Sequence, residues 1–329
     1  MITVLRCAVL ALFISAGVQA QTASPEQVPA PAVAKTVHPE AKAPVAAKVS
    51  VTFPPGAGVM HIPLAQSKKT LEVFTYQPAG ADETTPVVMV MTGVDRNAAT
   101  YRNDWMTVAD QYHLRVVVPH FSEQDFPGAA GYNLGNLVDS KTHHRQPKSQ
   151  WAFSIVDNIF TTLQKQGVTS QKQYYLFGNS AGCQFVHRML TLLPQPNVKA
   201  AVCAAAGWWT LPDTDQRWPY GLREAPVAVS QQQLDDYFAK PVLIAVGAED
   251  DDPENHLLRK SKQAMAQGAN RLDRAESYFT TSQQRAEQNN TPFNWHFVDL
   301  SDVGHSGSKM SVFAAGQFAW FEQHNAFHL

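Results

Sequence analysis

Five residues, Gly178-Asn179-Ser180-Ala181-Gly182, set a serine hydroxyl between glycines, directly after the apolar run YYLF and directly before the helical run CQFVHRMLTLL. A G-x-S-x-G turn between strand and helix is a nucleophile elbow. The chain turns so sharply that the hydroxyl stands above the sheet edge, and a Cβ at either glycine would crowd the neighbouring strand and helix. Such a hydroxyl is a weak nucleophile at neutral pH, so it needs a base, and the base needs a group to orient it. The chain order that goes with this elbow is Ser, then Asp or Glu, then His. After the run VLIAVG the sequence reads Gly247-Ala248-Glu249-Asp250-Asp251-Asp252-Pro253. Asp250 is the choice for the orienting acid, with Asp251 and Asp252 as rivals and a hydrophilic turn or cation site as the alternative for the whole cluster. After NWHFVDL comes Ser301-Asp302-Val303-Gly304-His305-Ser306-Gly307, which makes His305 the base.

Acyl transfer at a serine also needs hydrogen-bond donors aimed at the developing oxyanion. The Ala181 amide is one, because it opens the helix after the nucleophile. The second is expected in the turn Thr92-Gly93-Val94-Asp95-Arg96 after VVMVM, where Gly93 lets the main chain approach and Val94 donates. Trp208 and Trp209 follow another strand end and are candidates, with Gly93, for the substrate pocket; the alternative for the tryptophans is packing within a cap. Cys183 and Cys203 either pair as a disulfide or stay as two small buried thiols. His143 and His144 have no third ligand at a recognisable spacing, and no metal site is expected.

These groups need a scaffold that brings strand ends together. Short apolar runs recur near Val51 (VSVTF), Leu71, Val87, Arg115, Tyr174, Ala200, Val242 and Asn294, several of them continuous rather than alternating. Continuous Val/Ile/Leu runs are what strands buried on both faces of a parallel sheet require. Helix-period segments lie between them. In 150–166, Ala152, Val156, Ile159, Phe160 and Leu163 share a face and Gly167 is a natural stop. The alternation implies an α/β fold, a mostly parallel sheet flanked by helices. Residues 207–240 fit neither period and read as a small aromatic-rich cap insertion.

The chain has 329 residues, 16% of them charged, and a formal net charge of -2 without long runs of either sign, which argues against a nucleic-acid partner. Residues 1–20 carry Arg6, an apolar stretch from Cys7 to Val18 and the small residues of Val18-Gln19-Ala20. That pattern predicts a signal peptide cleaved before Gln21, and the stretch is shorter than the ~20 apolar residues of a membrane span. A secreted or periplasmic protein without stable membrane insertion is expected. Residues 21–50, rich in Pro and Ala, read as a disordered linker, leaving 51–329 as the catalytic domain.

With those motifs in place, the chain resembles a family. Thr92-Gly93-Val94-Asp95-Arg96-Asn97, Tyr101-Arg102-Asn103-Asp104-Trp105, Phe121-Ser122-Glu123, Tyr132-Asn133-Leu134-Gly135-Asn136, the Ser180 elbow, Gly207-Trp208-Trp209 and Val303-Gly304-His305 look like those of bacterial secreted α/β-hydrolases of the polyhydroxybutyrate-depolymerase-like or feruloyl-esterase-like kind. The resemblance spans roughly residues 50–325. It implies hydrolysis of small-molecule or oligomeric carboxylic esters through a Ser-His-Asp triad and an acyl-enzyme, with no metal or organic cofactor. Thr92 stands where many members have His, which leaves the bracing of that turn open. The alternatives are a peptidase or lipase of the same fold, or a catalytically silent hydrolase fold used for binding.

Overall fold

The computed structural model describes residues 52–329. The expected signal peptide and linker lie outside the described residues. In chain order the elements are β1 (Gly56–Pro63), β2 (Thr70–Gln77), β3 (Val87–Met91), α1 (Ala98–Tyr112), β4 (Arg115–Pro119), α2 (Gly128–Gly131), α3 (Ala152–Lys165), β5 (Tyr174–Asn179), α4 (Ala181–Leu192), β6 (Val198–Ala204), α5 (Gln231–Phe238), β7 (Val242–Gly247), α6 (Lys262–Met265), α7 (Arg271–Gln288), β8 (Trp295–Leu300) and α8 (Gly307–His324).

The eight strands among the described residues join one sheet in the order β1-β2-β4-β3-β5-β6-β7-β8. β1 and β2 run antiparallel to their neighbours, and β3 through β8 pair in parallel. Every residue of VVMVM in β3 and VLIAVG in β7 is buried, as strands covered on both faces must be. On one face α1 and α8 bring Trp105, Val108, Phe318 and Phe321 onto Val88, Val90, Val116 and Val118. On the other, α3, α4, α5 and α7 bring Phe160, Phe185, Phe238 and Tyr278 onto Val87, Met89, Leu176 and Ile244. Each large apolar side chain so buried contributes about 1.5–3 kcal/mol relative to exposure. The sheet is therefore a firm platform for whatever its strand ends carry.

The run VSVTF, where the apolar pattern puts the first strand, lies mostly outside the described residues; Thr52 and Phe53 are in no strand, and the first strand described is Gly56–Pro63. Pro54 and Pro55, which have no amide to donate to a ladder, precede it. The other seven runs are strands within a few residues of where the pattern puts them. Within the expected 207–240 insertion, residues 207–230 form neither helix nor strand. The helix that follows, α5, buries Leu234, Tyr237 and Phe238 beside α4 and α7 and serves as the crossover from β6 to β7.

Candidate active site

Ser180 stands between the end of β5 and the start of α4, at φ 56° and ψ -115°. Backbone held in so sparsely populated a region costs about 1–3 kcal/mol and persists only where its surroundings enforce it. Here they do. A Cβ at Gly178 would lie 2.3 Å from the Gly182 carbonyl oxygen, and one at Gly182 would lie 2.1 Å from the Met91 carbonyl oxygen. The Ser180 amide donates to the Ala204 carbonyl at 2.8 Å, which ties the elbow to β6.

The acid and the histidine meet because β7 and β8 are neighbours. Gly247 pairs with Leu300 at the strand ends. Beyond them the Glu249 amide donates to the Val303 carbonyl at 3.0 Å, and a Cβ at Gly247 would lie 2.0 Å from that same oxygen. The loops thus close on each other, and His305 Nδ1 lies 2.7 Å from Asp250 Oδ2. The tautomer that satisfies the carboxylate carries its proton on Nδ1, which leaves the Nε2 lone pair free. Asp250 is buried, whereas Asp251 and Asp252 are exposed. No hydrogen bond joins Ser180 Oγ to the His305 ring among the described residues, a contact that is often long before substrate binds.

Sequence reasoning missed Arg271. Its Nη1 donates to Asp250 Oδ1 at 3.0 Å, with the two side chains only 2% and 4% exposed, so the carboxylate is gripped from both oxygens. The one clue in the sequence is its place at the first residue of α7 after the cap Asn270, where the helix dipole disfavours a cation. An arginine found there wants an acid.

The turn in which the second oxyanion donor is expected is braced without a histidine at position 92. The buried Tyr132 hydroxyl donates to the Thr92 carbonyl at 2.8 Å, and burial holds that phenol in its protonated form. Tyr101 places its hydroxyl against Gly93 and accepts from Asn179 Nδ2 at 3.3 Å, linking this turn to the elbow. Arg96, in the left-handed region at φ 55°, sends its guanidinium to the carbonyls of Phe121, Phe126 and Gly128 and pairs with Glu123 at 3.0 Å. Neither the Val94 nor the Ala181 amide donates to an acceptor among the described residues.

A cavity of about 400 Å³ opens beside Ser180, walled in part by Val94, Ala181, Gln184, Trp208, Arg259 and Arg271. Trp208 is on that wall, with its ring 4.9 Å from Tyr220. The expectation that Trp209 shares the pocket is corrected: it is fully buried and stacks at 4.2 Å on Tyr278, with its amide donating to Gln267 Oε1 at 2.9 Å. Gly93 lies in the turn behind Val94 and is not on the wall. Cys183 and Cys203 form a disulfide between α4 and β6. His187 lies beside them; its Nδ1 donates to the Cys183 carbonyl at 2.9 Å and its Nε2 accepts from the Thr210 amide at 3.0 Å. These three side chains cluster within 4.8 Å, but sulfurs joined to each other are not thiolate ligands.

Residues 65–299 match the esterase family profile, described as "Putative esterase". Among solved structures, poly(aspartic acid) hydrolase-1 from Sphingomonas sp. KT-1 is 34% identical, aligned over 82% of this chain and 100% of its own with a TM-score of 0.76. LpqC, a poly(3-hydroxybutyrate) depolymerase from Bordetella parapertussis, is 32% identical over 82% of this chain and 91% of its own, with a TM-score of 0.75. An S-formylglutathione hydrolase from Agrobacterium tumefaciens, 14% identical over 84% and 98% of the two chains with a TM-score of 0.54, shares the fold. No curated protein sequence matches the chain. A family match over most of the chain and two relatives above 30% identity place this protein in the esterase family of the α/β-hydrolases, as a carboxylic ester hydrolase.

Proposed function

We propose that the protein is an exported serine esterase whose triad is Ser180, His305 and Asp250. The observation that carries this reading is the Asp250–His305 contact at 2.7 Å on strand ends next to a serine in elbow geometry. Ser180 Oγ attacks the ester carbonyl as His305 Nε2 takes its proton. Asp250 holds the imidazole and stabilises its charged form, and the Ala181 and Val94 amides receive the oxyanion. The imidazolium then protonates the departing alkoxide, and water repeats the sequence on the acyl-enzyme. Arg271 acts through Asp250 and is a positioning residue.

A fluorophosphonate should label Ser180, and Ser180→Ala should abolish both labelling and hydrolysis of p-nitrophenyl esters. Asp250→Asn should lower kcat about 10⁴-fold, because an amide facing Nδ1 favours the wrong tautomer. Wild-type protein that resists the fluorophosphonate while folded defeats the reading. Export is tested by sequencing the N-terminus of protein from the periplasm or medium, where Gln21 is expected first. The depolymerase relative favours an oligomeric hydroxy-acid ester as substrate, and the poly(aspartic acid) hydrolase relative favours an amide-linked acidic chain as the second reading. Matched ester and amide oligomers separate the two.

A further inference from the structure

We infer that the cavity beside Ser180 selects acyl groups bearing a free carboxylate, and that Arg259 is the residue that reads it; this rests on the serine-esterase reading above. Three arginines face the cavity. Arg96 is matched by Glu123, the one acidic residue among those described on the wall, and Arg271 is matched by Asp250. Arg259 has no carboxylate partner among the described residues. It is exposed, on the loop between β7 and α6, and its guanidinium sits 4.8 Å from the Trp208 ring and 5.6 Å from the Tyr220 ring. Two aromatic faces thus hold a cation at the cavity without neutralising it.

A second cation shares that indole. Arg188, fully buried on α4, lies 4.0 Å from the Trp208 ring centre. It donates to Thr210 Oγ1 and to the carbonyls of Asn133 and Gln184, and its Nη2 is left buried without a partner. Burial lowers its pKa to about 9, with repulsion from Arg259 adding to the effect. A buried guanidinium without a carboxylate adds positive potential at the Trp208 ring, on the cavity wall. Arginine is also the cation best shaped to meet a carboxylate with two parallel hydrogen bonds.

The geometry also assigns the end of the substrate concerned. His305 is not on the cavity wall, yet the departing alkoxide must reach its Nε2 to be protonated. The portion that occupies the cavity is therefore the portion left on the serine, the acyl group. Half-esters of dicarboxylic acids, or acidic oligomers, fit that description.

The test compares kcat/KM for mono-p-nitrophenyl glutarate with that for p-nitrophenyl 5-methylhexanoate, in which a branched alkyl end replaces the carboxylate. Arg259→Gln is expected to lower the ratio of the two roughly tenfold or more, the scale of one hydrogen bond to a charged group. High KCl is expected to lower the wild-type ratio in the same direction. A ratio unmoved by the substitution overturns the inference. Should the variant fail to fold, a salt-independent wild-type ratio overturns it instead. Wild-type protein that hydrolyses neither ester contradicts the serine-esterase reading, a separate failure.

Discussion

Ser180 sits where three stretches of backbone press together, whereas Asp250 sits where three side chains share charge. The elbow is held by carbonyls of β3 and α4 packed against its glycines, so close that no Cβ fits. The acid and histidine loops are also brought together by packing, at Gly247, but what fixes the two side chains is an imidazole on one carboxylate oxygen and a guanidinium on the other. The first kind of hold fails by adding an atom. The second fails by removing a partner, and its partner lies on a different element.

Gly182→Ala is the strongest way to break the steric half. The new methyl must push Met91 and Thr92 away from α4, and with them the turn that carries Val94. Loss of all measurable p-nitrophenyl acetate hydrolysis is expected, with a stability loss above ~3 kcal/mol, the upper range for overpacking, read by denaturant unfolding. Wild-type turnover in this variant would show that the elbow is not sterically locked. Arg271→Met attacks the charged half by leaving Asp250 buried with His305 alone. Breaking a buried pair costs about 3–5 kcal/mol, and the lower end is expected because the imidazole remains. Hydrolysis and fluorophosphonate labelling should slow together, since both need the imidazole that Asp250 holds.

The same contrast explains what is legible in the sequence. A glycine in a tight turn carries its meaning locally, so Gly178, Ser180 and Gly182 identify the elbow by their spacing, and the buried-strand runs around it follow from local periodicity. Chain order adds His305 and narrows the acid to three neighbours. Arg271 is hidden because its pairing with Asp250 spans 21 residues and depends on α7 starting beside β7. Trp208 and Trp209 are adjacent in sequence and opposite in environment, and only the packing of Tyr278 and Tyr220 separates them. The strand Gly56–Pro63 is likewise not marked by an apolar run of its own, because it is register with β2, Gly56 to Gln77, that fixes its ends.

The helix that follows the elbow carries a titrating group that weakens it in acid. His187 is fully buried on α4, and burial holds its pKa well below 6.5, with Arg188 adding repulsion. The unfolded chain therefore takes up a proton near pH 6.5 that the folded protein refuses. Stability contributed at this site is present above 6.5 and is lost as pH falls below it, by about 1.4 kcal/mol per unit. Wild type should lose more stability than His187→Asn between pH 7 and pH 5.5, whatever the neutral-pH cost of the substitution. Parallel unfolding curves for the two proteins across that range would remove His187 from the account.

The smallest effects are expected at the acids next to Asp250, and their smallness is informative. Asp251 and Asp252 carry the same charge as Asp250 and sit one and two residues away, so a site governed by long-range charge would register their loss. They are exposed, however, where water and salt screen them. Asp252 caps its own turn by accepting from the Glu254 amide at 2.9 Å, and neither carboxylate bonds to His305 or Arg271. Asp251→Asn should change stability by less than ~0.5 kcal/mol, and Asp252→Asn by no more than ~1 kcal/mol for the turn hydrogen bond. Both should leave kcat/KM for p-nitrophenyl acetate within about twofold of wild type, since a screened surface charge contributes little. A tenfold loss at either position would mean that the charged half of the site works through net potential, and the two-sided grip on Asp250 would no longer explain why that acid alone is buried.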